Sequence, residues 1–382
     1  MMDQAGTLEI SARRLRHNVG VFRRRMAARV QLCATVKANA YGHGLAEIVP
    51  LLAPAGIDWL CVYSFAEALA VARCAGLASA MPILVLAPLV LADEHDGLSA
   101  EQLAALACDR IRLTLTDWDS ARRLAAQLSA AGFPRPLPVH VQIDTGLTRQ
   151  GVSMEQAPAL LAGIESLRPL RLEGLFMHLS HGEKPEHPTS QNQLAVFIRT
   201  TQIFKMRRPE LIRHAQNSGG AWNWPGADLD MVRLGIGVYG LQPSPEHPIA
   251  DLRPIASLVA PITAVHDRPE GVGVGYGHTF RTRRLSRLAV APVGYADGYP
   301  RELSNRAVAL VEGRLAPVVG RVSMDQLVLD ATSLMVEPGR RVVLVSDDPA
   351  SPLCLDNLAG LCHTIGYELA TRWGARLMRK VI

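Results

Sequence analysis

Between residues 32 and 236, short apolar runs rich in β-formers recur with helical stretches between them. This rhythm limits the possible folds more than any other feature of the sequence. The runs fall at 32–36, 59–62, 82–87, 111–115, 139–143, 172–178, 212–216 and 231–236. Helical patterns fill gaps at 64–75, 100–107, 117–131, 155–164 and 191–205. A short strand at 7–10 comes first, and Ser11 is placed to cap a helix running to about residue 28. Eight strands alternating with helices over about 230 residues predict a parallel barrel. The pattern changes after Gly240, where Pro243, Pro245 and Pro248 mark a linker. Short strands with turn signals follow at 257–266, 288–293, 306–311, 314–322, 326–330 and 341–345, then a helical piece at 355–362 and a last strand at 375–381. The expected fold class is α/β: an N-terminal (β/α)8 barrel of the TIM type over 11–240, then a mostly-β domain over 241–382 that residues 1–10 join.

Several predicted strands end in polar or reactive residues: Lys37, Asp144, His178, Asn217 with Ser218, and Arg233. In a barrel these ends share one face, and that face carries the active site. Lys37 follows an apolar strand and precedes Gly42 and Gly44. A lysine so held is either a Schiff-base former or general base with a shifted pKa, or a cation snorkelling off a buried strand. Arg233-Leu234-Gly235-Ile236-Gly237 and Asn217-Ser218-Gly219-Gly220 end neighbouring strands, where such barrels gather backbone amides around a phosphate. Asp144-Thr145-Gly146, followed by Arg149, is a strand-end carboxylate that serves equally as an Asx-turn or cap. The glycines of 271–277 alternate with no helix following, so a dinucleotide site fails on context. They make a loop that places Tyr276 close to a ligand or another subunit. His178, His181 and Glu183 lack a third ligand at a suitable spacing, and no metal is expected.

Composition narrows the class. Hydrophobic residues make up 48% and charged residues 20%, as in a globular enzyme. The net charge of +5 is spread over scattered arginines with no interleaved aromatics, so nucleic acid is not an expected partner. Six cysteines form no CxxC pair and sit mostly in apolar runs, which suits a reducing compartment. The longest apolar run, 81–92, is too short for a bilayer, and residues 1–10 lack a signal-peptide pattern. A cytoplasmic location is expected.

Taken together, the motifs resemble the alanine racemase family along nearly the whole chain. They are AxVKANAYGHG around Lys37, DTGxxRxG from Asp144, EGLFxH ending at His178, NSGG from Asn217 and VRxGIxxYG from Val232. GYGxTF from Gly275, PVGYADGY from Pro292, GRVSMDQ from Gly320 and GYE at Tyr367 continue the match in the same order. The resemblance implies pyridoxal 5'-phosphate bound in the barrel, a head-to-tail homodimer, and D-alanine made for bacterial peptidoglycan. It implies that Lys37 carries the cofactor as a Schiff base and acts as one base. Tyr276 from the partner subunit is the other, because racemisation moves a proton on each face of a planar carbanion. The family's tyrosine serves the L-isomer and its lysine the D-isomer. A free tyrosine, with a pKa of roughly 10, needs help to act as a base. His178, with Arg233 behind it, would supply that help.

By the same resemblance Arg233 faces the pyridine nitrogen, which a guanidinium cannot protonate. Asn217 belongs to the cofactor site, and Tyr41, Ser218, Tyr367 and the amides of Gly235 and Ile236 hold the phosphate. Arg149 touches the cofactor phenolate and the substrate carboxylate, which Met324 of the partner subunit helps position. Tyr295 lines the entrance, with Arg301, Arg321 and Ile365 further out. Gln142 stands where many members have a lysine, often carbamylated, that braces the arginine. Gln142 would therefore bond Arg149 directly, or an anion such as chloride would fill the gap. Glu183 replaces a frequent aspartate at the entrance. Arg233 argues against a pyridoxal-phosphate decarboxylase, which needs a carboxylate at that nitrogen, and the β domain argues against a single-barrel binding protein. A broad-specificity or serine racemase is the nearer alternative, because one hydroxyl is weakly discriminated by an apolar pocket.

Overall fold

The computed structural model describes residues 6–74, 81–91 and 97–382. Eight parallel strands close on themselves in chain order: Gln31–Thr35, Trp59–Val62, Ile83–Pro88, Ile111–Leu115, Leu137–Asp144, Leu170–Phe176, Ile212–His214 and Met231–Leu234. The last pairs with the first in the register Arg233 to Cys33. The strands read as continuous apolar runs because helices cover one face while the barrel interior fills the other. All of Trp59–Val62 and Ile111–Leu115 is buried. Helices pack outside by their apolar stripes: in Ala12–Arg25, Leu15, Val19 and Phe22 are buried three to four residues apart. The Ser11 hydroxyl caps this helix by accepting from the Arg14 amide at 3.4 Å, and Asp117 does the same for Trp118–Ala130 at 2.7 Å.

The second part of the chain is built on a six-stranded sheet in the order Arg314–Pro317, Val308–Val311, Arg341–Val345, Ala256–Pro261, Thr7–Ile10, Met378–Val381. The first strand of the chain is thus clamped between Ala256–Pro261 and the last strand. A three-stranded sheet of Ala264–Arg268, Ser286–Ala291 and Leu327–Asp330 packs beside it, and a small hairpin pairs Gly273–Val274 with Phe280–Arg281.

Three expectations change. The run at 257–266 is two strands, because the chain changes sheets at its middle: the Ile262 amide bonds Arg340 and the Thr263 amide bonds Val290 of the other sheet. The run at 314–322 stops at Pro317, and the chain turns through Gly320 at φ +76°. A helix at Gly366–Thr371, not foreseen, carries Tyr367. The six cysteines are free thiols. Among the described residues no helix is long and apolar enough to cross a membrane, and no cluster of side chains suits a metal ion.

Candidate active site

Lys37 leaves the first barrel strand into a tight turn instead of an ordinary helix. Ala38, Asn39, Ala40 and Tyr41 all have φ between 51° and 56°, one left-handed turn of four side-chain-bearing residues. L-residues avoid this conformation. It holds because its surroundings specify it from several sides. The Glu67 carboxylate accepts from the amides of Ala38, Tyr63 and Ser64 at 2.7, 2.8 and 3.1 Å. The Asn39 side chain accepts from the Leu45 amide at 2.9 Å, and Arg379 of the last strand donates to the Gly42 carbonyl at 2.8 Å. His43 bonds the carbonyls of Ala40 and Tyr41 and stacks on Tyr239 with ring centroids 4.7 Å apart. Gly42 is obligatory, since a Cβ there would stand 2.0 Å from the Ala370 carbonyl oxygen.

The turn aims Lys37 into a cavity of about 610 Å³ at the carboxyl face of the barrel. Tyr41, Arg149, His178, Asn217, Ser218, Arg233, Gly235, Ile236 and Tyr367 line it together, as does Gln142. At one end the Ser218 hydroxyl accepts from the amides of Gly235 and Gly237 at 2.8 and 3.2 Å. A Cβ on Gly235 would come within 2.9 Å of the Tyr41 hydroxyl, so this end is a close-fitting cradle of hydroxyls and backbone. Burial raises the pKa of Tyr41 and Tyr367 above the ordinary phenol value, so both remain hydroxyl donors. These donors fit a phosphate. Gly235→Ala, whose methyl would press on the Tyr41 hydroxyl, is therefore expected to weaken binding of a phosphate-bearing ligand by about tenfold or more, the loss of one charge-assisted hydrogen bond from Tyr41, as read by equilibrium titration.

Arg233 also lines the cavity and is 4% exposed. Its guanidinium donates to His214 Nδ1 at 2.7 Å, to His178 Nδ1 at 3.2 Å and to the carbonyls of Met177, His214 and Ala215 at 2.8–3.2 Å. An arginine only donates, so both imidazoles accept on Nδ1 and carry their proton on Nε2. Burial, reinforced by Arg233, Arg149 and Lys37, pulls His178 down to about 3. Burial takes His43 to about 4 and also lowers His140 and His214. All four rings take up a proton less readily in the folded protein than in the unfolded chain, where each titrates near 6.5. Below about pH 6.5 the unfolded chain therefore binds protons that the native one refuses, and stability falls with pH. Thermal melts are expected to drop from about pH 7 to about pH 5, at up to about 1.4 kcal/mol per pH unit for each ring. A flat melting temperature across that window would mean protonated rings in the native state.

The structure separates Tyr276, Met324, Tyr295, Arg301 and Arg321 from the lining of this cavity. Tyr276, on the loop of the small hairpin, is 71% exposed and lies outside the lining of its own chain's cavity. Met324 and Tyr295 are also exposed large side chains. The three share one surface of the β domain. Gly277 abuts Arg321, the Tyr295 amide bonds the Ser323 carbonyl at 3.0 Å, and the Ala296 amide bonds the Met324 carbonyl at 3.0 Å. Arg301 belongs to the turn whose Ser304 hydroxyl holds the Val322 amide. Ile365 lines the cavity itself and is not remote from it. Asp144 makes the tight turn: its Oδ1 accepts from the amides of Gly146, Leu147 and Thr148. Gln142 and Arg149 both line the cavity, and no hydrogen bond joins them in the structure. Thr35, Tyr63, Leu86, Gln150, Phe176, Glu368 and Thr371 also line the cavity. Of these, Thr35 and Phe176 sit at strand ends beside residues already singled out, a signal that was available.

A closed parallel barrel with a lysine-bearing cavity at its carboxyl face, completed by a β domain, defines a two-domain barrel enzyme. Sequence models of the alanine racemase N-terminal and C-terminal domains match residues 10–243 and 255–381. The chain belongs to the alanine racemase family. It is 34% identical to an alanine racemase of Synechocystis sp., with both chains covered completely, and 36% identical to one of Desulfovibrio desulfuricans over 97% of this chain and 96% of that one. The solved alanine racemase of Streptomyces coelicolor A3(2) superposes with a TM-score of 0.88 at 33% identity, covering 100% of this chain and 98% of that one.

Proposed function

We propose that this chain interconverts L- and D-alanine with pyridoxal 5'-phosphate, as a homodimer in which each cavity is completed by Tyr276 of the partner subunit. The observation that carries the reading is the cavity itself, which one lysine, a hydroxyl cradle and a buried arginine line together. The cradle of Tyr41, Ser218, Tyr367 and the backbone at Gly235 and Ile236 would hold the phosphate, and Asn217 lies beside it. Arg233 would meet the pyridine nitrogen. When bound, the cofactor supplies an electron-withdrawing ring that acidifies the α-C–H of an attached amino acid.

Lys37 would hold the cofactor through its amine and, once freed, would move a proton at one face of the α-carbon. Tyr276 of the partner subunit moves a proton at the other face. The two are needed because no single fixed base reaches both faces. His178 accepts from Arg233 on Nδ1, which leaves its Nε2–H to donate to the tyrosine oxygen. That donation favours the phenolate and makes the tyrosine a competent base. Arg233 keeps its own proton, so a pyridine nitrogen held there would receive none, and the moderated electron withdrawal would favour plain proton return over side reactions. Arg149 holds the substrate carboxylate from within the barrel, and Met324 of the partner subunit closes on it.

The product would be D-alanine for peptidoglycan, made in the cytoplasm. The test is the absorbance of purified protein near about 420 nm, followed by turnover of L- and D-alanine beside serine, lysine and arginine. The band with alanine converted far faster than the others is expected. Equal turnover of serine would move the reading to a broad-specificity racemase of the same fold. The band without alanine turnover would sink the racemase reading while leaving the cofactor.

A further inference from the structure

Arg233 is the near end of a longer buried line of polar groups that runs away from the cavity. His214, which accepts from Arg233 on Nδ1, has Nε2 at 2.9 Å from His140 Nδ1. With its one proton on Nε2, His214 donates across that contact, so His140 accepts on Nδ1 and carries its own proton on Nε2. His140 Nε2 lies 3.4 Å from Glu173 Oε2, an ion-pair distance looser than a well-formed hydrogen bond. Glu173 also takes a hydrogen bond from Arg112 at 2.9 Å. The donors therefore point the same way, from Arg233 through two imidazoles, and the buried His140 Nε2–H, which makes no formed hydrogen bond, faces one carboxylate. Reversing a single proton would set two donors or two acceptors against each other.

The packing is shaped for this line. Phe176 stacks on His214 at 4.9 Å with an interplanar angle of 11°, and Trp59 lies against His140 at 5.6 Å. Gly174, next to Glu173, is what admits the His140 ring, because a Cβ there would stand 2.3 Å from His140 Cε1. His140 and His214 are fully buried, and Glu173 is 11% exposed on its side chain. Burial opposes ionisation of Glu173, but the His140 donor and the Arg112 guanidinium outweigh it and hold its carboxyl down at about 2.

We propose that Glu173 and His140, both outside the cavity, are positioning residues that fix the proton arrangement of His214 and through it the aim of the Arg233 guanidinium. The proposal rests on the functional reading above, in which Arg233 meets the cofactor ring. Arg233 gives the line its direction from the near end, and an acidic group at the far end holds it there: without Glu173 the His140 Nε2–H loses the carboxylate it faces, and the reversed arrangement of the two rings becomes easier to populate. A reversed His214 would present an N–H to the Arg233 N–H and turn the guanidinium away. Glu173 sets a geometry at the cavity without touching what binds there.

The test is nitrogen NMR of the holoenzyme labelled with ¹⁵N-histidine, read beside kinetics. In the wild type, His214 and His140 are expected as single Nε2–H tautomers, and an Nδ1–H tautomer at either ring overturns the proposal outright. His140→Phe keeps the Arg112–Glu173 pair and the ring packing while removing the acceptor of His214. It is expected to mix the His214 tautomers, shift the cofactor absorbance and lower kcat by about tenfold to a hundredfold, the scale of a small misplacement, with KM for alanine little changed. Glu173→Ala is expected to do the same, and Glu173→Gln, which keeps an acceptor oxygen, to recover most of the loss. Wild-type tautomers, spectrum and kcat in folded His140→Phe would overturn the assignment. A wild type with the expected tautomers but no alanine turnover would count against the functional reading alone, so that assay comes first.

Discussion

Lys37→Ala is expected to lower racemisation in both directions by at least about four orders of magnitude, the scale on which a covalent nucleophile and base acting together are lost. No other lysine lines the cavity among the described residues, so no neighbouring amine takes over. The variant is also expected to lose the absorbance near about 420 nm while keeping a wild-type melting profile, because Lys37 is only half-buried and the turn behind it is held by Glu67, Asn39 and Arg379. Residual activity within about tenfold of wild type would remove Lys37 from the centre of the mechanism.

Tyr276→Phe is expected to be nearly as damaging, and its partnership with Lys37 gives a sharper result. Tyr276 projects from the surface of its own chain, away from the cavity that holds Lys37. If each site draws on two subunits, Lys37→Ala and Tyr276→Phe lie in different halves of one site. Co-expressed in equal amounts, the two inactive chains pair at random, and each mixed dimer holds one intact site and one doubly broken site. About a quarter of wild-type activity per site should return from parents that have none. No recovery in mixed dimers confirmed by mass spectrometry would place both residues in the site of a single chain. Differently tagged chains purified in tandem should isolate the mixed dimer at about half of wild-type activity.

The barrel was legible because its strands are covered on both faces and so read as unbroken apolar runs, with Lys37, His178, Asn217 and Arg233 emerging where the runs stop. What was not legible depended on contacts far apart in the chain. Ala38 and Ala40 are good right-handed helix formers, and only Asn39 hints locally at a left-handed coil; Glu67 and Arg379, distant in sequence, impose it on the whole stretch. The break of the 257–266 run depends on which sheet receives the Thr263 amide. Tyr276 looks like one more exposed aromatic until a second chain is considered. Glu173 and His140 read as ordinary strand residues, and only the room left by Gly174 reveals that a ring must lie between the strands.

The left-handed turn behind Lys37 has a consequence for how this protein can change. At roughly 1–2 kcal/mol per residue, four such residues hold on the order of 4–8 kcal/mol of conformational strain, comparable to the whole margin by which many domains stay folded. Glycine at Ala38 or Asn39 would release part of it, and a selection for heat resistance alone would tend to accept that exchange. The released turn would no longer present its amine in one direction. Thermal robustness and catalytic output thus pull on the same four residues from opposite sides. A lineage driven toward hotter growth would have to find its extra stability elsewhere in the molecule.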